Sequence, residues 1–152
     1  MPCRAEAVEA DATTAELVCI DPARIYEIWP HVRSLLEQAC RRTALNAFAD
    51  FAADILAGRS LVWVAWNGSA IEAAAATILI NSDIGKVCVI TLCAGRKMQR
   101  WLRLIDRIED YARDEGCARI RIFGRKGWMR VLREYEAGHV VMEKRLASSQ
   151  AN

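Results

Sequence analysis

The sequence contains no run of about 18 apolar residues, the minimum for a helix that crosses a bilayer. It is poor in histidine, with only His31 and His139, and none of its six cysteines forms a C-x-x-C pair. That spacing argues against the usual zinc motifs and offers no disulfide framework. Cys3, Cys19, Cys40, Cys88, Cys93 and Cys117 therefore read as reduced thiols that behave as small hydrophobes, and no metal is expected. Cys88 and Cys93, five residues apart in one strand, are expected on opposite faces. Repeats, low-complexity stretches and linkers are also missing. The expectation is one domain over 17–146, with a flexible lead over 1–16 and a tail over 147–152. The opening MPCRAEAVEADATTAE has no apolar signal segment, which predicts a cytoplasmic protein without a membrane partner.

Apolar residues make up 53% of the chain and charged residues 26%, as in a folded globular domain. The net charge of +2 is unevenly spread: residues 1–95 carry −4, residues 96–133 carry +7 and residues 134–152 carry −1. The basic second half suits an anionic cofactor, an acidic protein or nucleic acid. For nucleic acid the aromatics are not interleaved with Arg119, Arg121, Arg125, Lys126, Arg130 and Arg133 as stacking platforms require. Only weak, non-specific binding at low salt is expected there.

The stretch Val87 to Phe123 organises the rest. Val87 to Cys93 is almost wholly apolar and predicts a central strand covered on both faces. After Gly95, the residues Met98, Trp101, Leu102, Ile105, Ile108 and Ala112 keep helical spacing, and Gly116 is placed to end that helix. Ala118 to Phe123 alternates as a second strand. Upstream, Leu17 to Ile20 reads as a first strand, 22–41 as a helix capped by Asp21 and kinked or split at Pro30, and 45–57 as a second helix. Leu61 to Trp66 and Ile71 to Ile80 form a hairpin around Asn67-Gly68. Downstream, a short helix over 125–135 precedes a last strand, His139 to Leu146. The order β-α-α-β-β-β-α-β-α-β is an α+β, mixed α/β fold with a central sheet of about six strands flanked by helices. Trp63, Trp66, Trp101 and Trp128 are read as core residues, with Trp66 and Trp128 the two that could dock a partner.

The helix after Gly95 has no acid in its first turn, where the positive end of the helix dipole favours one. It has Arg96, Lys97 and Arg100 instead. Either these side chains swing into water, or an anion such as phosphate sits at the helix start.

This order, with the strand–turn–helix unit over Cys88 to Gly116 and the phrases GRKGWMRVLREY and VVMEKRL after it, resembles the GNAT superfamily of N-acetyltransferases, and small phage- and prophage-encoded GNAT-like proteins within it. The resemblance implies an acetyl-CoA-dependent N-acyltransferase acting on an unnamed amine. It puts the cofactor on Leu92, Cys93, Gly95, Arg96, Lys97 and Arg100, with Tyr135 as the acid that protonates the departing thiolate. Glu72 or Asp83 would be the base. The chain departs from the family's Arg/Gln-x-x-Gly-x-Gly/Ala loop, because Gln99 and Trp101 fall where glycines are expected. A silent GNAT fold serving as an interaction protein, in a phage particle or against a host protein, is the alternative. In that case the location would be the virion.

Overall fold

The computed structural model describes residues 15–43 and 46–147. Strand β1, Glu16–Cys19, leads into a single 3-10 turn, Pro22–Arg24, and helix α1, Ile25–Thr43. The Asp21 side chain accepts a hydrogen bond from the Ala23 N–H at 2.9 Å and so caps the turn. Pro30 lies inside α1 without splitting it. It falls early in the helix, and the carbonyl it leaves without a donor belongs to Tyr26, which is exposed. Helix α2, Phe48–Leu56, is followed by strands β2, Leu61–Trp66, β3, Ile71–Ser82, and β4, Gly85–Gly95. The turn between β2 and β3 is a four-residue loop and not a two-residue one. The Asn67 side-chain oxygen accepts from the N–H groups of Ser69 and Ala70, each at 2.8 Å, and Gly68 takes a φ of 99°.

Helix α3, Met98–Asp114, buries Trp101, Ile105, Ile108 and Ala112 of the expected stripe together with Leu104, while Leu102 is half-buried and Met98 is exposed. Gly116 ends it at a φ of 74°, while the Cys117 N–H reaches back to the Ala112 carbonyl. Strand β5, Arg119–Ile122, then runs parallel to β4. The sheet order is β1-β2-β3-β4-β5, with every neighbour antiparallel except that last pair. This is the expected meander with one crossover.

The core has two halves, one on each side of the sheet. One packs Trp63, Ala65, Ala73, Ala75, Cys88, Ile90 and Cys93 beneath α3. The other packs Val62, Val64, Ala74, Ala76, Leu92 and Ala94 beneath α1 and α2. The run Ala73–Ala76, fully buried, is the thin middle of the sheet. Cys88 and Cys93 therefore share a face, contrary to the alternation expected of an unbroken strand. The cause is a β-bulge. Ala76 pairs with Leu92 and Thr77 with Ile90, which leaves Thr91 as the extra residue and reverses the parity beyond it.

Two other expectations are corrected. The helix over 125–135 is a 3-10 segment, Lys126–Arg130. The sixth strand over 139–146 is not formed: that stretch has no regular structure, and Val140, Val141, Met142 and Leu146 are 82%, 61%, 89% and 79% exposed. The described sheet thus has five strands. At the other end of the chain, Ala15 is buried and Glu16 opens β1, so these two residues of the expected lead belong to the folded part. Residues 1–14 and 148–152, and Leu45 at the expected start of α2, lie outside the described residues.

Candidate functional site

The site is built where β4 leaves its neighbour. Strand β5 pairs with β4 only over Val87 to Ile90, and the last link between them is the Phe123 N–H to the Ile90 carbonyl at 3.2 Å. Beyond it comes the Thr91 bulge. Thr91 is buried, and its hydroxyl donates to the Ala76 carbonyl at 3.2 Å, which fixes the bulge against β3. From Leu92 to Gly95, β4 keeps its pairing with β3, and from Thr91 to Gly95 it has no partner on the β5 side among the described residues. Two strands part there, and among the described residues no strand pairs with that edge of β4.

The open edge ends at the start of α3. Lys97 is the N-cap residue, in extended conformation, and gives no side-chain cap to the helix. The first-turn amides of α3 thus have no side-chain cap from Lys97, and the Arg100 N–H bonds the Lys97 carbonyl at 3.0 Å. Gly95 is held by close packing. A Cβ there would come within 3.0 Å of the Ala73 Cβ and 3.2 Å of the Trp101 ring. Trp101, which falls where the resemblance expects a glycine, does not stand in the turn. It is buried beneath Gly95 and stacks on Trp128 with ring centroids 4.9 Å apart.

The three cations expected at the helix start separate. Arg100 turns inward, is 7% exposed and forms an ion pair with Glu72 of β3 through its Nε. The Glu72 carboxylate also accepts from the Asn67 amide at 3.1 Å. Burial alone would raise the Glu72 carboxyl, but the Asn67 hydrogen bond and the Arg100 guanidinium outweigh it and hold it below the ordinary carboxylate value. Glu72 is thus the anion that the helix start needs, supplied by the fold. It also ties down the turn, since its carbonyl accepts the Arg96 N–H at 3.0 Å. Arg96 and Lys97 are the cations beside the turn, and the Arg96 side chain lines a cleft of about 1220 Å³. This cleft lies between α1 and the strands β1 and β2, walled also by His31, Leu35, Val64 and Trp66.

The remaining expected residues are placed as follows. Leu92 is buried on the α1 side of the bulged strand and Cys93 on the α3 side. Burial pushes the Cys93 thiol up to about 12, which keeps it protonated at neutral pH. Asp83 sits in the β3–β4 turn, at the opposite end of β4 from Gly95. Tyr135 donates its hydroxyl to the Glu109 carboxylate of α3 at 2.8 Å. Burial and that hydrogen bond push its phenol strongly upward. The bulge was not foreseen. Its only trace in the sequence is Thr91, a lone polar residue inside an apolar strand.

No family model matches the sequence, and no curated protein is similar to it. Solved structures do match in fold. An aminoglycoside acetyltransferase from an uncultured soil metagenomic sample, in complex with sisomicin, superimposes with a TM-score of 0.65 at 11% identity, covering 90% of this chain and 99% of that one. A ribosomal-protein-alanine N-acetyltransferase from Brucella melitensis biovar Abortus 2308 gives 0.61 at 12% identity, over 86% and 99%. A predicted acetyltransferase with acetyl-CoA from Clostridium acetobutylicum gives 0.59 at 16% identity, over 89% and 96%. Identities this low show a shared fold alone.

Proposed function

We propose that this chain with an acetyltransferase-like fold is an acyl-CoA-dependent N-acyltransferase, with the cofactor at the parting of β4 and β5. One observation carries the reading. The bulge at Thr91 leaves the edge of β4 from Thr91 to Gly95 unpaired, and that edge runs straight to an uncapped helix start flanked by Arg96 and Lys97. An extended amide-bearing arm can add to such an edge as a further strand would. A diphosphate suits helix amides with two cations beside them. Gly95, with no room for a side chain against Ala73 and Trp101, keeps the end of β4 packed down on β3 beside the helix start. The residues present therefore fit acetyl-CoA, as side-chain charge plus helix amides and not as a glycine-rich nest.

Bound acetyl-CoA would supply a thioester whose acyl carbon an amine can attack. The protein's part is to hold the arm along Leu92 and Cys93 and to anchor the phosphates on Arg96 and Lys97. Arg100 serves indirectly, because its pair with Glu72 fixes the turn that presents those residues. Glu72, held ionised by that pair, is a weak proton acceptor, so the amine has to arrive neutral or lose its proton through water. Tyr135 can protonate a leaving thiolate only by giving up its bond to Glu109.

Calorimetry with acetyl-CoA and free CoA tests the proposal. Binding by both is expected, and Arg96→Ala with Lys97→Ala should weaken it by about tenfold or more, the loss of one to two charge-assisted contacts. No heat with either ligand at millimolar concentration would remove the cofactor. It would leave the second reading, a silent fold that works as part of a larger assembly, such as a phage particle.

A further inference from the structure

The described structure carries two unsatisfied elements that match each other. Strand β5 is an edge of the sheet, and its outer side presents unpaired backbone N–H and C=O groups. Residues 139–146, in the same chain, have strand-like composition and pair with no strand among the described residues. Their four large apolar side chains are among the most exposed in the molecule, at 61% to 89%. Such exposure shows that neither face of this stretch rests on its own sheet. Monomeric proteins rarely leave a run of this kind in water, and an open edge beside it is a template for pairing.

We infer that residues 139–146 of one chain add to the β5 edge of a second copy, and that the exchange is reciprocal. The side chains fit in both alternations. On β5, Ile120 and Ile122 lie on the core side and Arg119 and Arg121 on the exposed side. In an added strand, Val140 and Met142 share one face while Val141 and Glu143 share the other. Pairing brings Val140 and Met142 beside the two isoleucines and Glu143 beside an arginine, a complementary cross-strand set. Charge over longer range agrees, since residues 134–152 carry −1 against +7 for residues 96–133.

The chain leaves the core where the segment begins. Leu132 is buried and Tyr135 is pinned to Glu109, whereas Gly138 has nothing within 4 Å of where a Cβ would stand. The body is anchored up to Tyr135, and the segment departs at a glycine with free space around it. Because each copy carries both an edge and a strand, one two-fold operation satisfies both pairs and closes the assembly. A second copy is thus the occupant that meets all the requirements with residues already in the chain.

Light scattering and sedimentation of the full chain test this. A dimer, twice the 17.0 kDa chain mass, is expected at micromolar concentration. Met142→Pro removes a ladder N–H and should give a monomer that keeps the helical far-ultraviolet signal and cooperative unfolding of the wild type. Val140→Lys with Met142→Lys should do the same by putting charge against the isoleucines, and it keeps the test valid if the proline variant fails to fold. A wild-type monomer across the micromolar range would overturn the inference, the segment then serving its own sheet or another protein. A dimer that survives both variants would overturn it equally.

Discussion

A guanidinium as deeply buried as Arg100 needs a counter-ion within the fold, and Glu72 provides it. The pair sits under the turn between β4 and α3, so it acts on stability and on the site together. Glu72→Gln keeps the shape and removes the charge, leaving Arg100 buried without its anion. A loss of about 3–5 kcal/mol in denaturant unfolding is expected. The pH dependence follows from the lowered carboxyl. Its contribution is complete above the ordinary value of 4.5 and is lost as pH falls through the lower folded-state value. The stability gap between wild type and Glu72→Gln should therefore narrow below pH 4.5; a gap that stays constant into acid would show that the charge is not what holds the turn. In the sequence, Glu72 reads as a possible base and Arg100 as a phosphate ligand. Nothing local in either residue announces their pairing, because the contact joins β3 to a helix that begins two strand lengths later.

At the scale of elements, periodicity made the fold legible. The 3.6-residue stripe of α3 is the plainest case, and Ile105 is its test. Ile105→Ala should cost about 2–5 kcal/mol, since the side chain is 1% exposed within the core under Trp63 and Cys88. A loss below about 0.5 kcal/mol would take this helix face out of the core. What stayed illegible has physical causes. A bulge inserts one residue without altering composition, so the alternation of Cys88 and Cys93 misled at the place where the site opens. The apolar residues near Val140 gave a sound strand signal, but a strand also needs an edge to pair with, and a propensity does not say which chain supplies it. The direction of Trp101 depends on where α3 begins, and its stacking on Trp128 lies too far along the chain to be read from the helix alone.

The whole molecule is a sheet with a core on each side, and the two cores meet through β3. There four consecutive alanines, Ala73 to Ala76, are fully buried, two facing α3 and two facing α1 and α2. Small side chains at the middle of the sheet let helices close in from both sides, with Trp63, Trp101 and Leu36 supplying the bulk. This sets an unusual asymmetry in what the chain tolerates. Truncation, the ordinary hazard for a core, has almost nothing to remove from Ala73 to Ala76. Growth is the hazard. Ala75→Leu should destabilise by about 1–3 kcal/mol through forced rotamers and backbone shifts, seen as a lower unfolding midpoint with an unchanged denaturant slope. A midpoint equal to wild type would mean spare volume beside β3. Pressure felt at Ala73 passes directly to Gly95, where an added Cβ would meet the Ala73 Cβ at 3.0 Å and the Trp101 ring at 3.2 Å, and the sheet's thickness becomes the dimension that holds the mouth of the site at its present width.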